Sequence, residues 1–167
     1  MAIVYLSFGS NIGDRVGYIQ QATSLLGANP NINIVATSSF YETEPWQMDS
    51  ENWFVNAVVQ ITTTFSPEDL LDECEKVEGM LGRKRDPKRE TYTDRTIDID
   101  IMFYDKSIMK SDRLTIPHPL VHRRVFMLIP MLEIAEDFVH PLFNKTIAEL
   151  YDDLENPEAV YLYGTRM

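Results

Sequence analysis

The chain has 167 residues, 44% of them apolar and 25% charged, a globular mix long enough to bury a core of its own. Its formal net charge of −11 argues against a surface built for nucleic acid or for an anionic membrane. The single cysteine, Cys74, excludes an internal disulfide and suits a reducing compartment.

Residues 2–8 form a continuous apolar run of the buried-strand type. The run lacks a basic lead-in and is too short for a secretory core, and no other stretch reaches membrane-spanning length. A cytoplasmic location without a membrane partner is expected. Gly9-Ser10-Asn11 breaks the run, and Asp14 starts a helix whose inward face is Ile19, Ala22, Leu25 and Leu26. Gly27 and Pro30 end it. Residues 32–41 return as a strand. Residues 42–52, punctuated by Pro45 and carrying Trp46, read as a loop.

Residues 53–65 make a long strand in which Phe54, Asn56, Val58 and Gln60 share a face. An amide on that face needs hydrogen-bond partners. Ser66-Pro67-Glu68-Asp69 is a helix start, with a hydroxyl cap, an early proline and acids near the positive dipole end. The helix runs to about Leu81 and stops at Gly82. Residues 83–94 form a basic connection without periodicity.

Residues 95–104, Arg-Thr-Ile-Asp-Ile-Asp-Ile-Met-Phe-Tyr, alternate apolar and polar with the period of a strand. Ile97, Ile99 and Ile101 point into a core, which sends Asp98 and Asp100 to the opposite face. Their Cα atoms lie roughly 6.5–7 Å apart from the strand rise. Paired carboxylates on a rigid strand can hold hard cations such as Mg²⁺. An isolated D-x-D also fits a solvated strand face; its surroundings turn the reading. Residues 83–124 hold 11 of the 15 Lys and Arg, six of them within 83–95, inside an acidic chain. Acids for metal beside bases for phosphate is the layout a nucleoside triphosphate needs.

Beyond Tyr104, residues 107–113 read as a turn with a short strand, and Thr115-Ile116-Pro117-His118-Pro119 as a rigid loop. Residues 125–135 read as a helix bent at Pro130. A short strand over 139–143, a surface helix over 147–154 and an edge strand at 161–163 complete the chain. His122 and His140 read as surface residues. The order strand, helix, strand, strand, helix, strand predicts one α+β domain over 1–167. Its core is ferredoxin-like βαββαβ, a mainly antiparallel sheet covered by helices, with C-terminal additions.

Several local patterns then fall together. They are Gly9-Ser10-Asn11 with Gly13-Asp14-Arg15; Ser39-Phe40-Tyr41-Glu42-Thr43 before Pro45; Phe54-Val55-Asn56-Ala57; and Gly82-Arg83-x-Arg85. Further on come Arg95 through Ile101, Ile116-Pro117-His118-Pro119, and Arg124-Val125-Phe126 leading to Glu133-Ile134-Ala135. In this order and spacing the chain closely resembles the 6-hydroxymethyl-7,8-dihydropterin pyrophosphokinases of folate biosynthesis, from Ile3 to about Phe143.

The resemblance implies transfer of pyrophosphate from ATP to the pterin's hydroxymethyl group, releasing AMP. Asp98 and Asp100 would ligate two Mg²⁺ ions, and Asp98, Asp100, Arg83 and Arg95 would carry the catalysis. Asn56 would bond the pterin ring, with Phe54 and Phe126 on its faces and Thr43, Glu44 and Trp46 completing its pocket. Arg83, Arg85, Arg95, His118 and Arg124 would bind ATP, chiefly its phosphates. Glu78, Ile101 and Thr115 would lie near its adenosine part. Where the family commonly shows Trp-Gly-Pro before Arg95, this chain has Tyr92-Thr93-Asp94, with two extra residues after Arg85. Asp98 is the one candidate base. The expected partners are the two small substrates and no nucleic acid, and the expected state is a monomer. The alternatives are a non-catalytic nucleotide or pterin sensor and another Mg²⁺-dependent nucleotidyl- or phosphotransferase.

Overall fold

Large apolar residues alternate with smaller ones along the first strand, which gives it two different faces. β1 (Ala2–Ser10) runs two residues past the expected end, because Gly9 and Ser10 pair with Asn56 and Val55 of β4 (Phe54–Thr63). The computed structural model describes residues 1–45, 51–83 and 94–166. Its main sheet has the order β5 (Asp98–Tyr104), β1, β4, β3 (Tyr41–Thr43), β8 (Val160–Leu162), with β2 (Ile32–Thr37) also paired to β4. Every pairing in it is antiparallel, as expected for the α+β class.

The single strand expected over 32–41 is in fact two strands. Ser38 donates its backbone N–H to Val58 O and accepts the Val58 N–H on its hydroxyl, both at 2.9 Å. A side chain thus replaces a carbonyl in the ladder, and the chain rejoins the sheet at Tyr41. Glu42 and Thr43, expected in a loop, belong to β3. The edge strand expected at 161–163 is β8, which pairs with β3.

α1 (Arg15–Gly27) is capped by Asp14, which accepts the Gly17 N–H. α2 (Pro67–Met80) starts on the Ser66 hydroxyl, which accepts the Asp69 N–H. Ile19, Ala22 and Leu26 of α1 and Leu70, Cys74 and Val77 of α2 pack against one sheet face, on Val4, Leu6, Phe8, Ile99 and Ile101. The other face carries α3 (Val125–Ala135), with Pro130 inside it, and α4 (Ile147–Asp152). Their Met127, Leu128, Met131 and Leu150 cover Tyr5, Val58, Met102 and Phe103.

β5 changes its register against β1. Leu6 stands opposite Ile101 but Tyr5 opposite Phe103, which makes Met102 an extra residue, a β-bulge.

Four expectations in the C-terminal third need correction. β6 (Met109–Lys110) pairs with β7 (Thr115–Ile116), so the rigid loop begins later, at the cis Ile116–Pro117 bond. Only an isolated bridge from Val139 to Thr146 forms where a strand was expected over 139–143. His140 is buried rather than on the surface, at 1% exposure. Its Nδ1 accepts the N–H groups of Leu142 and Phe143 at 3.2 and 3.4 Å, which occupies the ring's lone pair inside the turn. Burial, with His122 adding to it, pushes this imidazole down to about 4. α4 is likewise half-inward, burying Ile147 and Leu150.

Candidate active site

The α3 side of the sheet is open at one end, and strand register decides which side chains stand there. Ser7 lies between Asp100 and Val58, and Gly9 between Asp98 and Asn56, so all six share that face. All of them but Val58, together with Phe54, Thr43, Glu44, Arg95, Arg124 and Phe126, line a cleft of about 480 Å³ including its open mouth.

Gly9 leaves little room beside the cleft: a Cβ there would lie 3.3 Å from Asn56 Oδ1, a tight approach, and 3.5 Å from Phe54 Cδ1. The buried Asn56 amide is oriented by its neighbour on β3, its Nδ2 donating to Thr43 Oγ1 at 2.7 Å. Each aromatic of the cleft has a guanidinium over it, Arg95 at 5.7 Å from the Phe54 ring centre and Arg124 at 5.4 Å from Phe126.

The carboxylates are held unequally. Asp98 accepts from Arg83 Nη1 at 2.5 Å on one oxygen and from Arg95 Nη1 at 3.3 Å on the other. Arg83 also donates to Ile97 O and to the buried carboxylate of Glu78. At Asp100, burial and the like charge of Asp98 push the carboxyl up to about 7, against the opposing pull of Arg124 and Arg83. A cation placed between the two would relieve that repulsion. Among the described residues no cluster of three or more His, Cys, Asp or Glu forms a closed metal cage. Two hard oxygen donors with the remaining positions open match Mg²⁺, which keeps water and substrate oxygens in its shell.

The family model of 7,8-dihydro-6-hydroxymethylpterin-pyrophosphokinase (HPPK) matches residues 5–136, most of the chain and every residue that lines the cleft. The chain belongs to this family. It is 41% identical over 155 residues to the 2-amino-4-hydroxy-6-hydroxymethyldihydropteridine pyrophosphokinase of Methylorubrum extorquens, covering 93% of this chain and 95% of that HPPK. Against the enzyme of Haemophilus influenzae it is 38% identical, covering 97% and 99%. The folic acid synthesis protein fol1 of Schizosaccharomyces pombe is 38% identical over 98% of this chain, but only 22% of fol1 is matched. Among solved structures, an HPPK-DHPS in complex with substrates superposes with TM-score 0.71 at 16% identity, over 90% of this chain. Plasmodium falciparum HPPK-DHPS with pteroate gives 0.69 at 18%. The chain spans under half the length of each of these two structures, and at such identity they speak for the HPPK fold alone.

Of the residues that the HPPK resemblance singles out, nine meet in the one cleft: Thr43, Glu44, Phe54, Asn56, Arg95, Asp98, Asp100, Arg124 and Phe126. Arg83 stands behind Asp98. His118 is joined to β5 by its N–H on Met102 O at 2.9 Å, and its Nδ1 accepts the Leu120 N–H. Burial and the charge of Arg124 push this imidazole down to about 4, so it is a neutral Nε2–H donor at pH 7. Glu78 is buried within the fold. Ile101 has its side chain in the core under α1 and α2, and Thr115 lies on β7. Trp46 and Arg85 lie outside the described residues, as do Tyr92 and Thr93. Sequence reasoning missed Ser7 and Gly9 as cleft residues. Their signal was present: on β1 the alternate positions Ser7 and Gly9 are small where Leu6 and Phe8 are large.

Proposed function

We propose that the cleft holds 6-hydroxymethyl-7,8-dihydropterin between Phe54 and Phe126, with the ATP phosphates along Arg95, Arg124 and the Asp98–Asp100 pair. The protein is an ATP-dependent diphosphotransferase of folate biosynthesis, converting this pterin to its diphosphate and releasing AMP. The observation that carries the placement is the single cleft in which two aromatic faces, a buried amide and two carboxylates converge.

A planar, polar heterocycle is held by stacking on both faces and by hydrogen bonds along its edge. Asn56, with one N–H committed to Thr43, keeps its Oδ1 and its other N–H for an amide-like edge. The pterin hydroxyl oxygen forms a bond to the β-phosphorus as the bond from that phosphorus to the oxygen bridging the α-phosphorus breaks. AMP leaves with the electron pair, and the hydroxyl proton is released. Little covalent help is needed; the work is alignment and charge stabilisation. Arg95 and Arg124 line the cleft and are placed to meet the phosphoryl oxygens, and Arg83 holds Asp98 in place. Asp98 and Asp100 would hold Mg²⁺, in our reading two ions, which when bound offset phosphate charge and polarise the phosphoryl group.

The strand order β5–β1–β4–β2, with α1 and α2 as crossovers on one face, supports a ferredoxin-like core. We read residues 1–167 as one domain acting as a cytoplasmic monomer, since one chain supplies every cleft residue and its lone cysteine is buried and reduced. Incubation with MgATP and the reduced hydroxymethylpterin tests the reading. AMP with pterin diphosphate supports it; ADP would indicate an ordinary kinase, and unchanged ATP a binding module.

A further inference from the structure

Asp94 directly precedes the cleft arginine Arg95, and on sequence alone it looks like an unhelpful anion beside a phosphate site. Both of its oxygens are engaged. Oδ1 accepts from Asn11 Nδ2 at 2.7 Å and Oδ2 from Asn52 Nδ2 at 2.8 Å. Asn11 is itself buried and reads the backbone of the next residue in both directions. Its Oδ1 accepts the Arg95 N–H at 2.7 Å, and its own N–H donates to Arg95 O at 3.1 Å. Asn11 Nδ2 also reaches Asn52 O at 3.3 Å.

Three separate stretches meet in this knot: the residue after β1, the lead into β4, and the lead into β5. Two residues beyond Asn52 is Phe54; one beyond Asp94 is Arg95, whose guanidinium lies over the Phe54 ring and bonds Asp98. The knot therefore sets the distance between the aromatic face and the arginine that borders the carboxylates.

We propose that Asp94 is a positioning residue for the pterin-diphosphate reaction, acting through Asn11 and Asn52 to hold Phe54 and Arg95 in register. The carboxylate fixes the backbone at this point with two charge-assisted bonds. This rests on the pterin lying against Phe54, so the test first measures pterin affinity in the wild-type protein. If the wild type binds no pterin, the placement in the cleft is wrong. If it binds, the variants judge Asp94.

Asp94→Ala and Asn52→Ala should each weaken pterin binding about 5- to 20-fold, read by calorimetry in the presence of a non-hydrolysable ATP analogue. The melting temperature should change little, because Asp94 is exposed, while ATP-analogue affinity without pterin should fall as well, because Arg95 borders the phosphate site. Since both act through one bond, the double variant should be no worse than the worse single. Asp94→Asn, which keeps one acceptor and meets Asn52 with an amide, should lose an intermediate amount. It also decides the matter if Asp94→Ala does not fold. Pterin affinity within twofold of wild type in Asp94→Ala, multiplicative losses in the double variant, or wild-type behaviour of Asp94→Asn would each overturn the proposal.

Discussion

Glu78 Oε2, near the end of α2, accepts the backbone N–H of Ile99 at 2.8 Å, in the strand that carries both aspartates. The same oxygen accepts from Arg83 Nη1 at 3.2 Å, and the residue is only 2% exposed. One buried carboxylate thus ties helix, strand and the arginine behind Asp98.

Removing it orphans a buried N–H and takes a partner from a partly buried guanidinium. Glu78→Ala should cost about 2–4 kcal/mol of stability, measured by urea denaturation. Glu78→Gln, whose amide oxygen still accepts from Ile99, should lose clearly less. Equal losses in the two would show that charge, not this bond, is what matters.

Asp98→Asn and Asp100→Asn should each lower turnover by about a thousandfold or more, since metal-held charge stabilisation contributes several kcal/mol. Stability should respond differently. Asp98 satisfies two arginines, whereas Asp100 faces Asp98 with a buried like charge. Asp100→Asn should therefore melt no lower than wild type, and Asp98→Asn should melt lower. A fall in melting temperature for Asp100→Asn would refute this electrostatic account.

Asn56→Leu should weaken pterin binding by about 1–3 kcal/mol, with ATP-analogue affinity held within about twofold. It also leaves Thr43 Oγ1 without its buried donor. Gly9→Ala should act in the same direction without removing any polar group, by pressing its methyl on Asn56 Oδ1 and Phe54. Calorimetry with each ligand separately reads both variants. An equal loss for ATP and pterin would make these residues structural.

His140 predicts a pH effect on stability away from the cleft. Its folded value, about 4, lies below the ordinary 6.5, so the fold binds fewer protons than the unfolded chain between those values. The contribution is present above pH 6.5 and is lost as the pH falls toward 4. Asn at this position keeps an acceptor for the Leu142 N–H and cannot be protonated. Denaturation midpoints for His140→Asn should fall less between pH 7 and pH 5 than those of wild type. Parallel falls would mean that the acid sensitivity resides elsewhere.

What could be read from the sequence was what repeats with a period. The alternation from Ile97 to Ile101 placed both aspartates on one face, and Ser66-Pro67 marked the start of α2 to the residue. Single side chains replacing backbone were invisible: Ser38 splits a strand by standing in for a carbonyl, and His140 folds a turn around its ring. The cleft was legible mainly through the family pattern, because Phe54 and Phe126 have the spacing of ordinary core residues. Glu78 illustrates the opposite failure. The family pattern set it near the adenosine part of ATP, and only the fold brings Ile99 and Arg83 onto it. The closing of 83–94 over the site, suggested by its basic residues, lies outside the described residues except at its ends, Arg83 and Asp94.

Met102 gives β5 two parities. Before it, even-numbered residues face the ligand and odd-numbered ones the core under α1 and α2; after it, Phe103 faces the side of the aspartates and Tyr104 the opposite one. The strand is therefore two short messages joined by a spacer. Losing one residue upstream of the spacer would exchange aspartates for isoleucines and end the chemistry. Losing the spacer itself would close the bulge and leave both halves facing as they do, with Ile101 and Phe103 consecutive opposite Leu6 and Tyr5. Changes in length are thus unequal in consequence: one residue fewer is absorbed at the methionine and is not absorbed well before it.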